Sequence, residues 1–163
     1  MTRQQFIEYV EANQRAVRRF LTALCCGDTA LADDLAQDTF VKAYISCDSF
    51  REGAKFSAWI YRIAYNTFVS CKRSYRQSEP ITEAAGLDSD DRSDKAFEYQ
   101  ELYAALDRLT EKERSAILLH YMQGYAINEI ADITGSSSEA VRQQLSRGRA
   151  HLRECLNLNR INN

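Results

Sequence analysis

Between Ser138 and Arg153 the chain carries Arg142, Gln143, Ser146, Arg147, Arg149 and Arg153, interrupted by a single early acid, Glu139. Arginine and glutamine pair bidentately with base edges, and arginine also neutralises phosphate, so this row is equipped for duplex DNA. A second stripe, Arg62, Tyr65, Asn66, Val69 and Arg73, mixes cations, a flat ring and an amide. That mixture suits single-stranded or distorted nucleic acid, with charge for phosphates and a ring for an unstacked base. A third group is acidic: Asp34, Gln37 and Asp38, with Val41 at its edge, follow one another at helical spacing and form one patch that could receive a basic partner. Each group also has a plainer reading, as a solvated helix face or, for Tyr65, a half-buried tyrosine on a core helix. No catalytic triad is apparent. The five cysteines (Cys25, Cys26, Cys47, Cys71, Cys155) show no C-x-x-C spacing and the two histidines lie far apart, so neither a metal site nor a disulfide framework is expected.

The arginine row needs an element that can enter a groove. From Ile127 to Leu152 the sequence runs I-N-E-I-A-D-I-T-G-S-S-S-E-A-V-R-Q-Q-L-S-R-G-R-A-H-L. Ile127, Ile130 and Ala131 recur at helical spacing, Thr134-Gly135 punctuates, and Val141, Leu145 and Leu152 make a second apolar seam. Two short helices sharing a seam across a glycine turn form a helix-turn-helix, whose second helix presents its outer side chains to the major groove.

Composition sets the frame around these groups. The 163 residues are 45% hydrophobic and 27% charged, with one proline and six glycines, which predicts a globular all-α chain with one modest core or two small ones. Net charge is only -2, low for a nucleic-acid binder, but it is segregated. Arg51 to Arg76 holds six basic residues and one acid; Glu79 to Glu101 holds eight acids and two basic residues. Lacking a signal peptide and a long apolar run, the chain is expected to be cytoplasmic with reduced thiols.

In chain order, Thr2 with Gln5 resembles a capping box and opens a first helix that should stop near Gly27. Asp28 or Thr29 caps the next, with Leu31, Leu35, Ala36, Phe40, Ala43 and Tyr44 pointing inward and the acidic patch outward. A loop over residues 46–55 precedes a long helix from Phe56 to Arg73, whose buried side is read as Trp59, Ile60, Ile63, Ala64, Phe68 and Cys71. The proline and a dense run of acids between Gln77 and Asp94 predict a linker, disordered without a partner. Phe97, Tyr99, Leu102, Tyr103, Leu106 and Leu109 then make a helix. Thr110 with Glu113 is a second capping box, and Gly124 is a stop before the helix-turn-helix.

Four segments, in this order, resemble a bacterial RNA polymerase sigma factor of the extracytoplasmic-function (ECF) class: D-D-L-A-Q-D-T-F-V-K-A-Y (Asp33 to Tyr44), F-S-A-W-I-Y-R-I-A-Y-N-T (Phe56 to Thr67), L-T-E-K-E-R-S-A-I-L-L-H-Y-M-Q-G (Leu109 to Gly124) and the helix-turn-helix. The resemblance implies a sigma region 2-like domain over residues 1–76, an acidic linker over 77–94 and a region 4-like domain over 95–163. It implies core polymerase binding through Asp34, Gln37, Asp38 and Val41. It implies melting of the minus-ten element and capture of a flipped base through Phe50, Arg62, Tyr65 and Asn66, a step that costs a few kcal/mol of lost stacking. Contact with the minus-thirty-five element is implied for Arg142, Gln143 and Ser146, with Arg147 and Arg149 toward phosphates.

The implied function is a promoter-specificity subunit that is not an enzyme and has no cofactor, metal or small-molecule substrate. Its partners are core RNA polymerase, promoter DNA and an anti-sigma factor, often membrane-anchored in the family. The chain departs from the family pattern where Ala126 replaces a hydroxyl cap and where Gly148 falls inside the reading helix. No added sensory domain is expected after Leu158. A stand-alone helix-turn-helix repressor or activator is the main alternative, but it does not explain the Arg62 stripe or the acidic patch. A helical adaptor that binds only protein leaves the Arg142 to Arg153 face unexplained.

Overall fold

The computed structural model describes residues 1–51, 53–77 and 94–161, with the side chains of 77, 94–98 and 158–161 excepted. All regular structure among them is helical: α1 (Arg3–Leu24), α2 (Thr29–Ile45), a 3-10 turn (Cys47–Ser49), α3 (Phe56–Gln77), α4 (Asp94–Asp107), α5 (Glu111–Ile117) continuing through a π turn (Leu118–Met122), α6 (Ile127–Thr134) and α7 (Ser138–Ile161). The linker expected over 77–94 lies, except for its two end residues, outside the described residues, as does the side chain of Phe97.

Both capping boxes form. Thr2 Oγ1 accepts from Gln5 N at 3.2 Å while Gln5 Oε1 accepts from Thr2 N at 2.9 Å. Thr110 and Glu113 repeat the arrangement at 3.2 and 3.1 Å, and Asp28 Oδ1 caps α2 through Leu31 N at 3.1 Å. Such caps satisfy amide donors that the first helical turn cannot pair internally. Glu113 is almost fully buried because its Oε1 also lies 3.1 Å from His151 Nδ1, which ties the start of α5 to α7. The α3 helix runs one turn beyond the expected Arg73, to Gln77.

The helices form two units, α1 to α3 and α4 to α7, that pack on one another around one apolar cluster. Val17, Phe20, Leu24, Ile60 and Phe68 are among its fully buried members from the first unit, and Leu119, Ile130, Ile133 and Leu145 among those from the second. The seam between units is specific. Arg114 is buried, and its guanidinium donates through Nε to Leu106 O at 2.9 Å, through Nη1 to Leu24 O at 2.9 Å and through Nη2 to Leu109 O at 3.1 Å. One cation thus fills the carbonyl end of α1 and that of α4, where helix dipoles favour positive charge. Beside it, Gly27 adopts φ +92°, and a Cβ there would stand 2.8 Å from Tyr103 Cδ2, so the α1–α2 turn admits the Tyr103 ring only as glycine. Tyr61 Oη donates to Gln123 Oε1 at 2.8 Å and its ring meets Tyr125 edge-on at 5.7 Å. Ion pairs Lys55–Glu129 (3.6 Å) and Arg76–Glu111 (3.0 Å) border the seam.

This packing corrects two expected faces. Tyr44 is 51% exposed rather than inward, lying near the C-terminal end of α2 where its ring meets Phe6 edge-on at 5.6 Å. On α3 the buried side is Ile60, Tyr61, Ala64, Tyr65, Thr67 and Phe68, with Trp59, Ile63 and Cys71 only partly covered. The helix lies between α1 and α2 on one side and α6 on the other, so it has two buried stripes where periodicity alone suggested one.

The five cysteines are free thiols. Burial pushes the Cys25 thiol up to about 12 and the Cys26 thiol up to about 11, with Lys72 and Arg114 respectively opposing the shift, and burial also raises Tyr61, Tyr65 and Tyr125. Each folded value lies above its unfolded value of 9.0 for thiols or 10.0 for tyrosines, so the folded state holds these protons more tightly. Their contribution to stability is complete below pH 9 and is lost as pH rises toward the folded values. A urea midpoint that falls between pH 8 and pH 10.5 is the expected outcome. Arg114→Ala, which removes three hydrogen bonds from a buried guanidinium to carbonyl oxygens, should lower stability by about 3 kcal/mol in the same assay.

Candidate nucleic-acid interface

Four arms of the expected reading row project freely from α7. Val141 and Leu145 are buried against α6, which turns Arg142, Gln143, Ser146 and Arg147 to solvent. The turn that aims them is built by Gly135 at φ 68°, ψ 26°, a left-handed conformation that glycine takes without strain. Ser137 Oγ accepts from Ala140 N at 3.1 Å, and Ser138 Oγ donates to Asn128 Oδ1 at 2.8 Å, so the start of α7 is fixed to α6 by side chains. Ala126 supplies no side-chain cap to α6. Arg149 is half-buried and donates from Nη1 to Tyr121 Oη at 3.2 Å, which places it apart from the four free residues.

Gly148, unaccounted for by its place in a reading helix, is explained by packing. A Cβ there would meet Ile117 Cγ1 at 2.8 Å, so the missing side chain is what allows α7 to lie against α5. His151 and Leu152 then reach the same face of α5 and its π turn.

On the first unit, Arg62 and Asn66 are exposed on α3. Tyr65 is not, being 8% accessible with its hydroxyl made a weaker acid by burial and then by the charge of Glu111. Its place on an exposed stripe is therefore corrected: in this conformation it belongs to the core. Phe50 is half-buried in an aromatic cluster that fixes both stems of the 46–55 loop, with Trp59 at 5.3 Å, Phe56 at 5.9 Å, and Tyr9 stacked on Phe56 at 4.7 Å. Lys55 and Trp59 share a cleft with Arg62, and sequence reasoning passed over both as a site. A tryptophan at apolar spacing is usually buried, but Trp59 is only partly covered and lines the rim of this cleft.

The acidic patch stands as expected. Asp34, Gln37, Asp38 and Val41 are all exposed on α2, and no ion pair among the described residues engages either aspartate. Asp33, one residue before, is held by Arg18 at 2.9 Å and belongs to the α1–α2 contact. Asp34 and Asp38 line a groove of about 560 Å³ with Lys42, Thr67 and Tyr75. A second groove, about 530 Å³ and apolar, runs beneath Tyr121 and Met122 between α4, α5 and α7, floored by Leu106, Ile117 and Leu118. The signal for it was present in the unpartnered apolar residues Leu102 and Met122, but no spacing distinguishes such residues from core.

Among the described residues no three His, Cys, Asp or Glu side chains are grouped to hold a metal ion, and no helix is long and apolar enough to cross a membrane. The fold and its surfaces define an all-helical protein with a helix-turn-helix unit and a separate cationic, aromatic face. Known proteins carry the same two parts. Residues 9–78 match the sequence model of Sigma-70 region 2 and residues 99–152 that of Sigma-70 region 4. The ECF RNA polymerase sigma factor EcfG of Rhodopseudomonas palustris is 31% identical over 142 residues, covering 84% of this chain and 77% of that one. RNA polymerase sigma factor YlaC of Bacillus subtilis is 30% identical, covering 76% of each. The sigma factor RpoE of Bartonella quintana, solved in complex with the anti-sigma factor NepR, superposes with a TM-score of 0.77 at 27% identity over 94% of this chain and 98% of that one. The chain belongs to the sigma-70 family, in its ECF class. It is a promoter-specificity subunit of RNA polymerase, not a stand-alone regulator.

Gly148→Ala tests the packing beneath the reading row. The forced contact with Ile117 outweighs the gain in helix propensity, so a net loss of about 1 kcal/mol is expected in urea unfolding, and a stabilised variant would contradict the assignment.

Proposed function

We propose that the chain divides into a polymerase-docking and minus-ten domain (1–76), a linker (77–94) and a minus-thirty-five domain (95–163), and that it has no catalytic chemistry of its own. Asp34, Gln37, Asp38 and Val41 bind core polymerase. Arg62, Asn66 and Phe50 engage the melted minus-ten strand, and Tyr65 joins them once the end of α5 that carries Glu111 moves off it. Arg142, Gln143 and Ser146 read the minus-thirty-five element, while Arg147 steadies it through phosphates and Arg149 joins it by leaving Tyr121. The observation that carries this reading is the exposure of one acidic and two cationic surfaces on three different helices of one chain. A stand-alone regulator has no use for the first of these. The chain works in the cytoplasm, where the polymerase is. An anti-sigma factor is the expected antagonist, since the similar RpoE is held by NepR; a protein that competes with core polymerase for the wild-type chain would identify it.

Transcription reconstituted from purified core polymerase and this chain tests the assignment. Asp38→Arg should abolish core binding in a pull-down, with loss of all promoter-dependent transcript. Arg142→Ala should retain core binding and lose about 10- to 100-fold in promoter selection, the cost of one bidentate base contact. Core binding unchanged by Asp38→Arg would remove the acidic patch from the polymerase interface.

A further inference from the structure

The reading row on α7 is aimed from two sides. Val141 and Leu145 bury the first half of the helix against α6. Beyond them α7 rests on α5, where a Cβ at Gly148 would stand 2.8 Å from Ile117 Cγ1 and 3.6 Å from Glu113 Cβ. Apolar packing at that point sets how close the helices lie but has no direction of its own. The directional contact is three residues further on, where His151 Nδ1 stands 3.1 Å from Glu113 Oε1. A carboxylate only accepts, so Nδ1 carries the hydrogen. The same oxygen accepts from Thr110 N at 3.1 Å, and Glu113 N donates to Thr110 Oγ1 at 3.2 Å, so the acceptor is itself held by the capping box of α5. The Glu113 side chain is 5% accessible and that of His151 47%. A fixed interior acceptor thus holds a donor that reaches it from the surface.

We propose that His151 is a positioning residue for promoter reading. Its hydrogen bond to Glu113 fixes the rotation of α7 about its own axis, and with it the direction in which Arg142, Gln143 and Ser146 face the bases. The inference rests on the minus-thirty-five assignment of that row and deepens it with a residue that acts through the helix rather than on DNA. The helix is continuous from the reading row to its anchor, and His151 follows Arg147 by four positions, about one turn. Contacts to base edges tolerate only about 0.5 Å and 10–20° of error. An α7 free to roll further than that keeps its arginines, and with them a general attraction for phosphates, but loses its discrimination between bases.

The test uses the chain bound to core polymerase and a library of duplex templates randomised across the promoter region, each identified by a barcode in its transcript. Transcript counts give the base preference at every position, and the wild type is expected to show an upstream and a downstream block. His151→Ala should flatten every position of the upstream block by about 3- to 10-fold, part of what well-aimed bidentate contacts supply, and leave the downstream block and core binding unchanged. Arg142→Ala, which removes a reader and not its aim, should flatten only the one or two positions it contacts. His151→Asn, which carries an N–H at the place of Nδ1, should restore the upstream block. Thr2→Ala, which removes the cap of α1 and costs stability far from α7, should keep the wild-type pattern. An upstream block unchanged in His151→Ala would overturn the proposal, as would no recovery in His151→Asn, an equal loss in Thr2→Ala, or a loss spread over both blocks. A wild type without an upstream block would remove the minus-thirty-five assignment and this inference with it. A flattened His151→Ala beside an unaltered Arg142→Ala would strike Arg142 from the readers and leave the positioning role standing.

Discussion

A guanidinium cannot be buried without hydrogen bonds to its donors, and Arg114 meets that demand with carbonyl oxygens from three places in the chain. Leu106 and Leu109 belong to its own unit, at the end of α4; Leu24 belongs to the other, at the end of α1. The requirement of one side chain thus fixes where the helix-turn-helix unit sits on the first three helices. The neighbouring Glu113 extends the constraint to α7 through His151, so two consecutive residues at the start of α5 connect both ends of the fold.

Once α5 is placed, the consequences run outward. The Tyr103 ring lies on Gly27, the π turn brings Gln123 to Tyr61, and α6 comes down on the loop side of α3. The α3 helix then serves two masters. Its Ile60, Ala64 and Phe68 edge belongs to the core of the first unit, while Tyr61 also meets Gln123 and Tyr125 of the second unit and Tyr65 lies within the field of Glu111. What reads as a nucleic-acid stripe in sequence is in this conformation partly a protein interface, and the two uses of the surface exclude each other.

Much of this was legible from residues alone. Both capping boxes, the glycine turn and the outward acidic face follow from local rules that need no tertiary context: a hydroxyl three residues before Gln or Glu, a left-handed position, a spacing of three and four. Tyr65 was misjudged because an amphipathic ring fits either a wet face or a seam, and periodicity cannot say whether a second partner covers a helix. Gly148 was unintelligible for a related reason. Its role is a 2.8 Å approach to Ile117, thirty-one positions earlier, and no local pattern encodes that contact. The aromatic cluster around Phe50 was visible only as scattered rings, since it assembles from α1, the loop and α3.

The composition of the seam bears on whether it can open. Its two ion pairs are largely exposed and contribute at most about 1 kcal/mol each, and the Tyr61–Gln123 hydrogen bond adds about 1 kcal/mol net. Arg114 keeps two of its three carbonyls, both from its own unit, when the units part, and water replaces Leu24 for the third. The ring packing of Tyr61, Tyr103 and Tyr125 leaves hydroxyl-bearing edges that water can also satisfy. The apolar part of the seam is continuous with the core, where Tyr61 and Tyr125 are buried beside Phe20. The polar contacts of the seam therefore add only a few kcal/mol to the closed arrangement, and the buried rings shared by the two units supply the rest, so that opening calls for a partner that binds both units.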